Sequence, residues 1–153
     1  MVNLKQLIAA IVFCELAGIV GAVFTIPSIP TWYASLAKPF FNPPSWIFSP
    51  VWTLLYAMMG ISLYFVWQKR IRGGNGLVLF GTQLSLNVLW SLLFFGLHSP
   101  ILALVCIIAL WTSIALTIRS FAKIDSKAAW LLAPYLLWVT FAAILNYAIF
   151  ALN

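Results

Sequence analysis

The chain has 153 residues, of which 65% are hydrophobic and 7% charged, with eight Lys and Arg against two Asp and Glu. Soluble domains average about 45–50% apolar and about 25% charged residues, so this composition excludes a water-soluble surface, and the apolar content excludes a disordered chain. An integral membrane protein remains, with mean hydropathy +1.10 and formal net charge +6. Eight Trp and 16% aromatic residues exceed what crossing a bilayer demands.

A helix crosses the bilayer core in about 20 apolar residues. The first such stretch, 7–26, has only Lys5 before it and is interrupted by Glu15, which reads as a retained span and not a cleaved signal. Pro27 and Pro30 are expected to end it, because proline lacks a donor and clashes with a continuing helix. The next segment, 27–45, places Trp32, Tyr33, Lys38, Phe40 and Phe41 between prolines. Long loops in compact proteins are often functional, so it is read as a lid folded back on the bundle, with interfacial anchoring as the other reading. Asn42-Pro43-Pro44-Ser45 opens the second span, 46–67, as proline suits a first helical turn. A basic, Gly-rich turn, 69–76, leads to the third span, 77–97. Ser99 and Pro100 form a cap and first turn for the fourth, 101–118, and Asp125 or Ser126 can cap the fifth, 128–152. Pro50 and Pro134 fall inside spans two and five and predict kinks or freed carbonyls. The short alternating segments of a membrane barrel are absent from this pattern. The expected fold is therefore all-α: one domain over 1–153, an integral membrane bundle of five transmembrane helices.

Lys5, Lys69, Arg70, Arg72, Arg119, Lys123 and Lys127 fall on one side of such a bundle, and Lys38 alone on the other. The positive-inside rule then puts the N-terminus in the cytoplasm and the C-terminus outside. The same asymmetry assigns the net charge to topology and anionic headgroups, and no nucleic-acid partner is needed to explain it. Cys14 and Cys106 both lie within spans, so no structural disulfide is indicated. His98, the single histidine, has no Cys or acid near it in sequence, and no metal site is expected.

Glu15 is the one acid inside a span, and two readings stand for it: a proton or cation site, or a hydrogen-bonded residue joining helices. Trp46, Trp67 and Trp130 suit an interfacial belt. Trp52 and Tyr56 share a helix face, as do Gln83, Asn87 and Trp90, and Trp138, Ala142 and Leu145. Flat aromatic side chains around the gap left by Ala142, with a few polar groups nearby, suit a planar hydrophobic ligand. No acid–base pair for hydrolytic chemistry is visible.

The strings Trp32-Tyr33-Ala34-Ser35-Leu36-Ala37-Lys38-Pro39, Asn42-Pro43-Pro44 and Pro50-Val51-Trp52 resemble the first loop and second helix of the TspO/MBR family, the bacterial tryptophan-rich sensory proteins and the mitochondrial translocator protein. Gln83-Leu84-Ser85-Leu86-Asn87, Phe94-Phe95-Gly96, Pro134-Tyr135-Leu136-Leu137-Trp138 and Leu145-Asn146-Tyr147 extend the resemblance through nearly the whole chain. It implies a five-helix bundle, often a homodimer, with a ligand cavity beneath the first loop. The ligands it implies are porphyrins such as protoporphyrin IX and haem, sterols, and synthetic benzodiazepine-type or isoquinoline carboxamide drugs. No cofactor is required, and porphyrin enters as ligand or substrate.

Carried over by position, the resemblance implies a pocket of Ala22, Trp32, Pro43, Phe48, Val51, Trp52, Asn87, Trp90, Leu102, Val105, Cys106, Ala109, Trp138, Phe141, Ala142 and Leu145. Trp52 and Trp138 match tryptophans linked in some bacterial members to light-dependent breakdown of protoporphyrin IX. The family's span-four acid is replaced by Val105, Glu15 matches no family position, and no basic residue follows Leu145-Asn146-Tyr147 as in the mammalian cholesterol motif. The expected function is a porphyrin-binding membrane receptor or sensor, with a porphyrin or lipid transporter as the alternative. Gly81 and Ser85 form a small-residue pair on span three, the face through which family likeness places a dimer.

Overall fold

A computed structural model describes residues 3–69 and 75–153; Arg70 and Arg72 of the expected basic turn lie outside the described residues. Helix α1 (Leu4–Ser28) starts on Asn3, whose side chain accepts from the Gln6 N–H at 3.3 Å. It is extended by a π-helical turn, Ile29–Tyr33. A 3₁₀ turn, Ser45–Ile47, leads into α2 (Phe48–Gln68), and α3 (Gly76–Ser91) runs on through a second π turn, Leu92–Gly96. Helix α4 spans Pro100–Ala122, capped by the Ser99 hydroxyl. The fifth span is divided into α5 (Ser126–Leu131), capped by Asp125, and α6 (Ala133–Leu152). Five helical stretches are long and apolar enough to cross a membrane: Leu4–Tyr33, Ser45–Gln68, Gly76–Gly96, Pro100–Ala122 and Ser126–Leu152. The all-α, five-span architecture expected from the sequence is what forms.

The prolines act differently from expectation. Pro27 lies inside α1, and the chain stays helical past Pro30 to Tyr33. Thr25 Oγ1 donates to Gly21 O at 3.1 Å and Thr31 Oγ1 to Pro27 O at 2.9 Å, back-bonds one turn along the same helix. The π turn widens the helix where the proline rings would clash, so these prolines do not end the span. Pro50 sits in the first turn of α2, where its missing N–H costs nothing. Pro134 does interrupt its span, in the first turn of α6 and next to the break at Leu132.

Helix α1 packs between α2 and α3, α4 packs against α3 and α6, and α2 meets the fifth span through α5. Gly60 makes the α1–α2 crossing close. A Cβ there would lie 2.8 Å from Ile11 N and 2.9 Å from Ala10 O, contacts that only glycine permits. The interior divides into two clusters. The larger, around Met59, Phe80, Leu110, Phe121 and Tyr135, fills the bundle nearest the α2–α5 contact. The smaller, around Tyr33, Phe94, Phe95, Leu145 and Ile149, lies beneath the first loop. Between these packed ends the helices leave space.

Candidate functional site

A cavity of about 330 Å³ lies between α1, α2, α3 and α6, at the lower end of the roughly 300–1,000 Å³ usual for ligand pockets. Each helix contributes one face at spacings of three and four, as Glu15, Gly18, Ala22 and Thr25 do on α1, and Phe48, Trp52 and Tyr56 on α2. Helices α1, α3 and α6 run toward the first loop and α2 away from it, so Glu15, Tyr56, Asn87 and Trp138 mark the deep end. Tyr33, Phe95 and Ile149 mark the loop end.

The floor is a hydrogen-bonded bridge. Tyr56 Oη donates to Asn87 Oδ1, and Asn87 Nδ2 donates to Tyr135 Oη at 2.9 Å. All three are buried, Tyr135 and Asn87 almost completely. Gly18 leaves room for this arrangement, because a Cβ there would come 2.6 Å from Tyr56 Cδ2. On the opposite wall, Trp90 Nε1 donates to Asn146 Oδ1 at 3.0 Å, and Asn146 Nδ2 to Pro100 O at 2.9 Å. Polar groups that would be costly in lipid thus lock neighbouring helices together. Two buried polar atoms have no hydrogen-bond partner among the described residues, Nε1 of Trp138 and Oε1 of Gln83.

The walls are aromatic. Trp90 stacks on Phe94 at 5.3 Å, Phe48 meets Trp138 edge-on at 6.3 Å, and Trp52 lies 5.7 Å from Tyr56. The first loop closes the end of the bundle. Phe41 packs on Phe141 at 6.4 Å, Tyr33 Oη donates to Asn42 Oδ1 at 2.7 Å, and Asn153 exchanges two 3.0 Å hydrogen bonds with the Ala37 backbone. Phe40 is 100% exposed, so the loop turns one phenylalanine inward and its neighbour outward. The cavity is open on one side. Its lining includes exposed Ile19 and Ile26 on α1 and exposed Ser49 and Thr53 on α2, so it meets the lipid-facing surface between those helices.

Of the residues anticipated for a pocket, Ala22, Phe48, Trp52, Asn87, Trp90, Trp138, Phe141, Ala142 and Leu145 line this cavity together. Those on α4 do not reach it. Leu102, Val105 and Ala109 recur at three and four residues on the outer face of α4 and are exposed, while Cys106 points into the α3–α4 contact and its thiol donates to Leu86 O at 3.5 Å. Helix α4 is kept from the cavity by α3 and α6, which pack on either side of it. Val51 lines a shallow external groove instead, sharing Trp138 and Phe141 with the cavity wall. Trp32 lies behind the wall, stacked on His98 at 4.5 Å and edge-on to Phe94. Pro43 stays in the loop, its carbonyl accepting from Asn42 Nδ2. The anticipated set omitted Tyr33, Tyr56, Phe94, Phe95 and Asn146. Tyr56 was signalled by its four-residue spacing from Trp52, and Asn146 by its polarity inside a span.

Trp46 and Trp130 are exposed near helix ends and Trp67 is half-exposed at the end of α2. Trp111 donates to Thr140 Oγ1 at 2.8 Å on the outer surface. Among the described residues no three His, Cys, Asp or Glu side chains gather to hold a metal ion.

Residues 10–152 match the family described as the TspO/MBR family. The chain is 48% identical over 152 residues to the tryptophan-rich protein TspO of Archaeoglobus fulgidus, covering 99% of each chain. It is 36% identical to the protein CrtK of Rhodobacter capsulatus, over 93% of this chain and 89% of that one. To the translocator protein of Bos taurus it is 40% identical, over 87% of this chain and 81% of the relative.

Proposed function

The chain belongs to the TspO/MBR family and is a multi-pass integral membrane protein, and from that premise we propose that it is a receptor or sensor binding flat tetrapyrroles of the porphyrin class in the cavity beneath the first loop. One observation carries the reading. Three indoles, those of Trp52, Trp90 and Trp138, line one cavity together with Phe48 and Phe141. Trp52, Trp90 and Trp138 offer ring faces to a planar molecule, which offset and edge-on contacts favour. A macrocycle would fill the cavity and extend through the α1–α2 opening. Sterols and synthetic drugs with flat apolar bodies form a second ligand class for the same space.

Titration of the purified protein with protoporphyrin IX tests this directly. Saturable quenching of Trp fluorescence, at one site per chain, is the expected outcome. A response no different from that of detergent alone would overturn the reading. Trp52 and Trp138 are assigned to any light-driven breakdown of bound porphyrin, read as pigment loss under illumination against a dark control. The opening toward lipid favours a second reading, transfer of porphyrin or lipid across the membrane, which flux into reconstituted vesicles separates from simple binding. Gly81 and Ser85 are exposed on α3, and a Cβ at Gly81 meets nothing within 4 Å; this face is assigned to homodimer contact. The N-terminus is assigned to the cytoplasm from the basic residues beside α1 and in the α4–α5 turn.

A further inference from the structure

Glu15 places a carboxyl group in a cavity wall whose other side chains are aromatic, aliphatic or neutral polar. It lies eleven residues into α1, about 17 Å along the helix, so both water-facing ends of the span are distant. Among the described residues no hydrogen bond or ion pair engages it, and the ion pair that is present joins Lys69 to Asp125 at 3.7 Å. Lys5, the basic residue of α1, is ten residues away, about 15 Å along the axis. The floor bridge makes no hydrogen bond to it either: Tyr56 donates to Asn87, and Asn87 to Tyr135. An ionisable group held at membrane depth without a partner is expensive. The missing complement is a hydrogen-bond donor, and the cavity is the space from which one can come.

We propose that Glu15 is a specificity-determining residue that accepts from an N–H or O–H group at the leading end of a flat ligand and turns away ligands that lead with a carboxylate. This rests on the reading of the cavity as a ligand site and adds a polarity to it: a donor or amine end is bound deep, and acidic substituents are held toward the first loop. An ammonium group brings the charge that lets Glu15 ionise, and the charge-assisted hydrogen bond that results is stronger than a neutral one, so amines gain most, alcohols less, and acids least, because two carboxyl groups sharing a site cannot both ionise.

The full chain in a non-ionic detergent is titrated with 1-pyrenemethylamine, 1-pyrenemethanol and 1-pyrenecarboxylic acid, which differ in one substituent on one flat ring system. Energy transfer from Trp to pyrene gives each Kd. The amine is expected to bind about tenfold tighter than the acid, with the alcohol between them. In Glu15→Gln the amine and acid should come to within about threefold of each other, whereas Glu15→Asp, which keeps the carboxyl, should retain the preference. An amine-to-acid ratio equal in wild type and Glu15→Gln overturns the proposal. If protoporphyrin IX still binds and Trp52→Phe still weakens it, that result removes only the role of Glu15. Failure of the pyrenes and of protoporphyrin IX alike removes the cavity reading, and this proposal with it.

Discussion

Asn87 accepts from Tyr56 and donates to Tyr135, and so joins α2, α3 and the fifth span at the depth where the cavity ends. Asn87→Leu removes both bonds and strands two buried hydroxyls, which should cost about 2–4 kcal/mol and lower the thermal midpoint in detergent. Tyr135→Phe leaves one amide proton unpaired and should cost less, about 1–2 kcal/mol. A midpoint unchanged in Asn87→Leu would show that the bridge carries no stability. The sequence shows that Asn87 must avoid lipid, since an amide in a span needs partners, but it does not name them, because both partners come from other helices. Trp32 and Tyr33 show a related limit. The more conspicuous tryptophan suggests itself for the site, yet the π turn after Pro27 rotates Tyr33 onto the cavity and Trp32 onto His98.

Helix faces decide how far the pocket could be read from the chain. Spacing on α2, α3 and α6 picks out one aromatic stripe per helix, and those stripes do converge. On α4 the carried-over positions Leu102, Val105 and Ala109 share a stripe too, but it faces outward, and in the first three turns of α4 both sides are apolar, so hydropathy does not distinguish them. Proline shows a second limit: its local cost is known, while the wider turn that accommodates it is a conformation of the same helix that residue propensity does not specify. Two predictions belong here. Gly60→Val forces α1 away from α2, since even a Cβ meets the backbone of Ala10 and Ile11; a loss of about 3 kcal/mol or outright misassembly is expected, read as a lower melting point and aggregation on size exclusion. Asn153→Ala removes the paired hydrogen bonds to Ala37 and leaves the loop held by Phe41 and the Tyr33–Asn42 bond. Bound porphyrin should then dissociate several-fold faster in stopped flow, with equilibrium stability changed by about 1 kcal/mol or less; an unchanged dissociation rate would mean that the loop does not gate the cavity.

For the whole molecule, the aromatic excess that composition alone leaves unexplained divides by location. Trp46, Trp67 and Trp130 lie toward helix ends and outward, Trp111 on the flank, and Trp52, Trp90 and Trp138 around one space. Five spans and their approximate limits were legible because bilayer thickness sets their length. The order in which they pack, and the gap between α1 and α2, follow from close contacts such as Gly60 against Ile11 that no single helix encodes. In the dimer proposed above, Gly81→Leu should turn the detergent-solubilised protein into a monomer by light scattering, and a persisting dimer would reject that face. The most direct test of the cavity as the porphyrin site is the Kd for protoporphyrin IX in a Trp52→Phe, Trp138→Phe double variant, with Trp32 and Trp90 left to report binding. The account predicts affinity weakened about tenfold or more with helical content unchanged, and an affinity equal to that of the unsubstituted protein would contradict it.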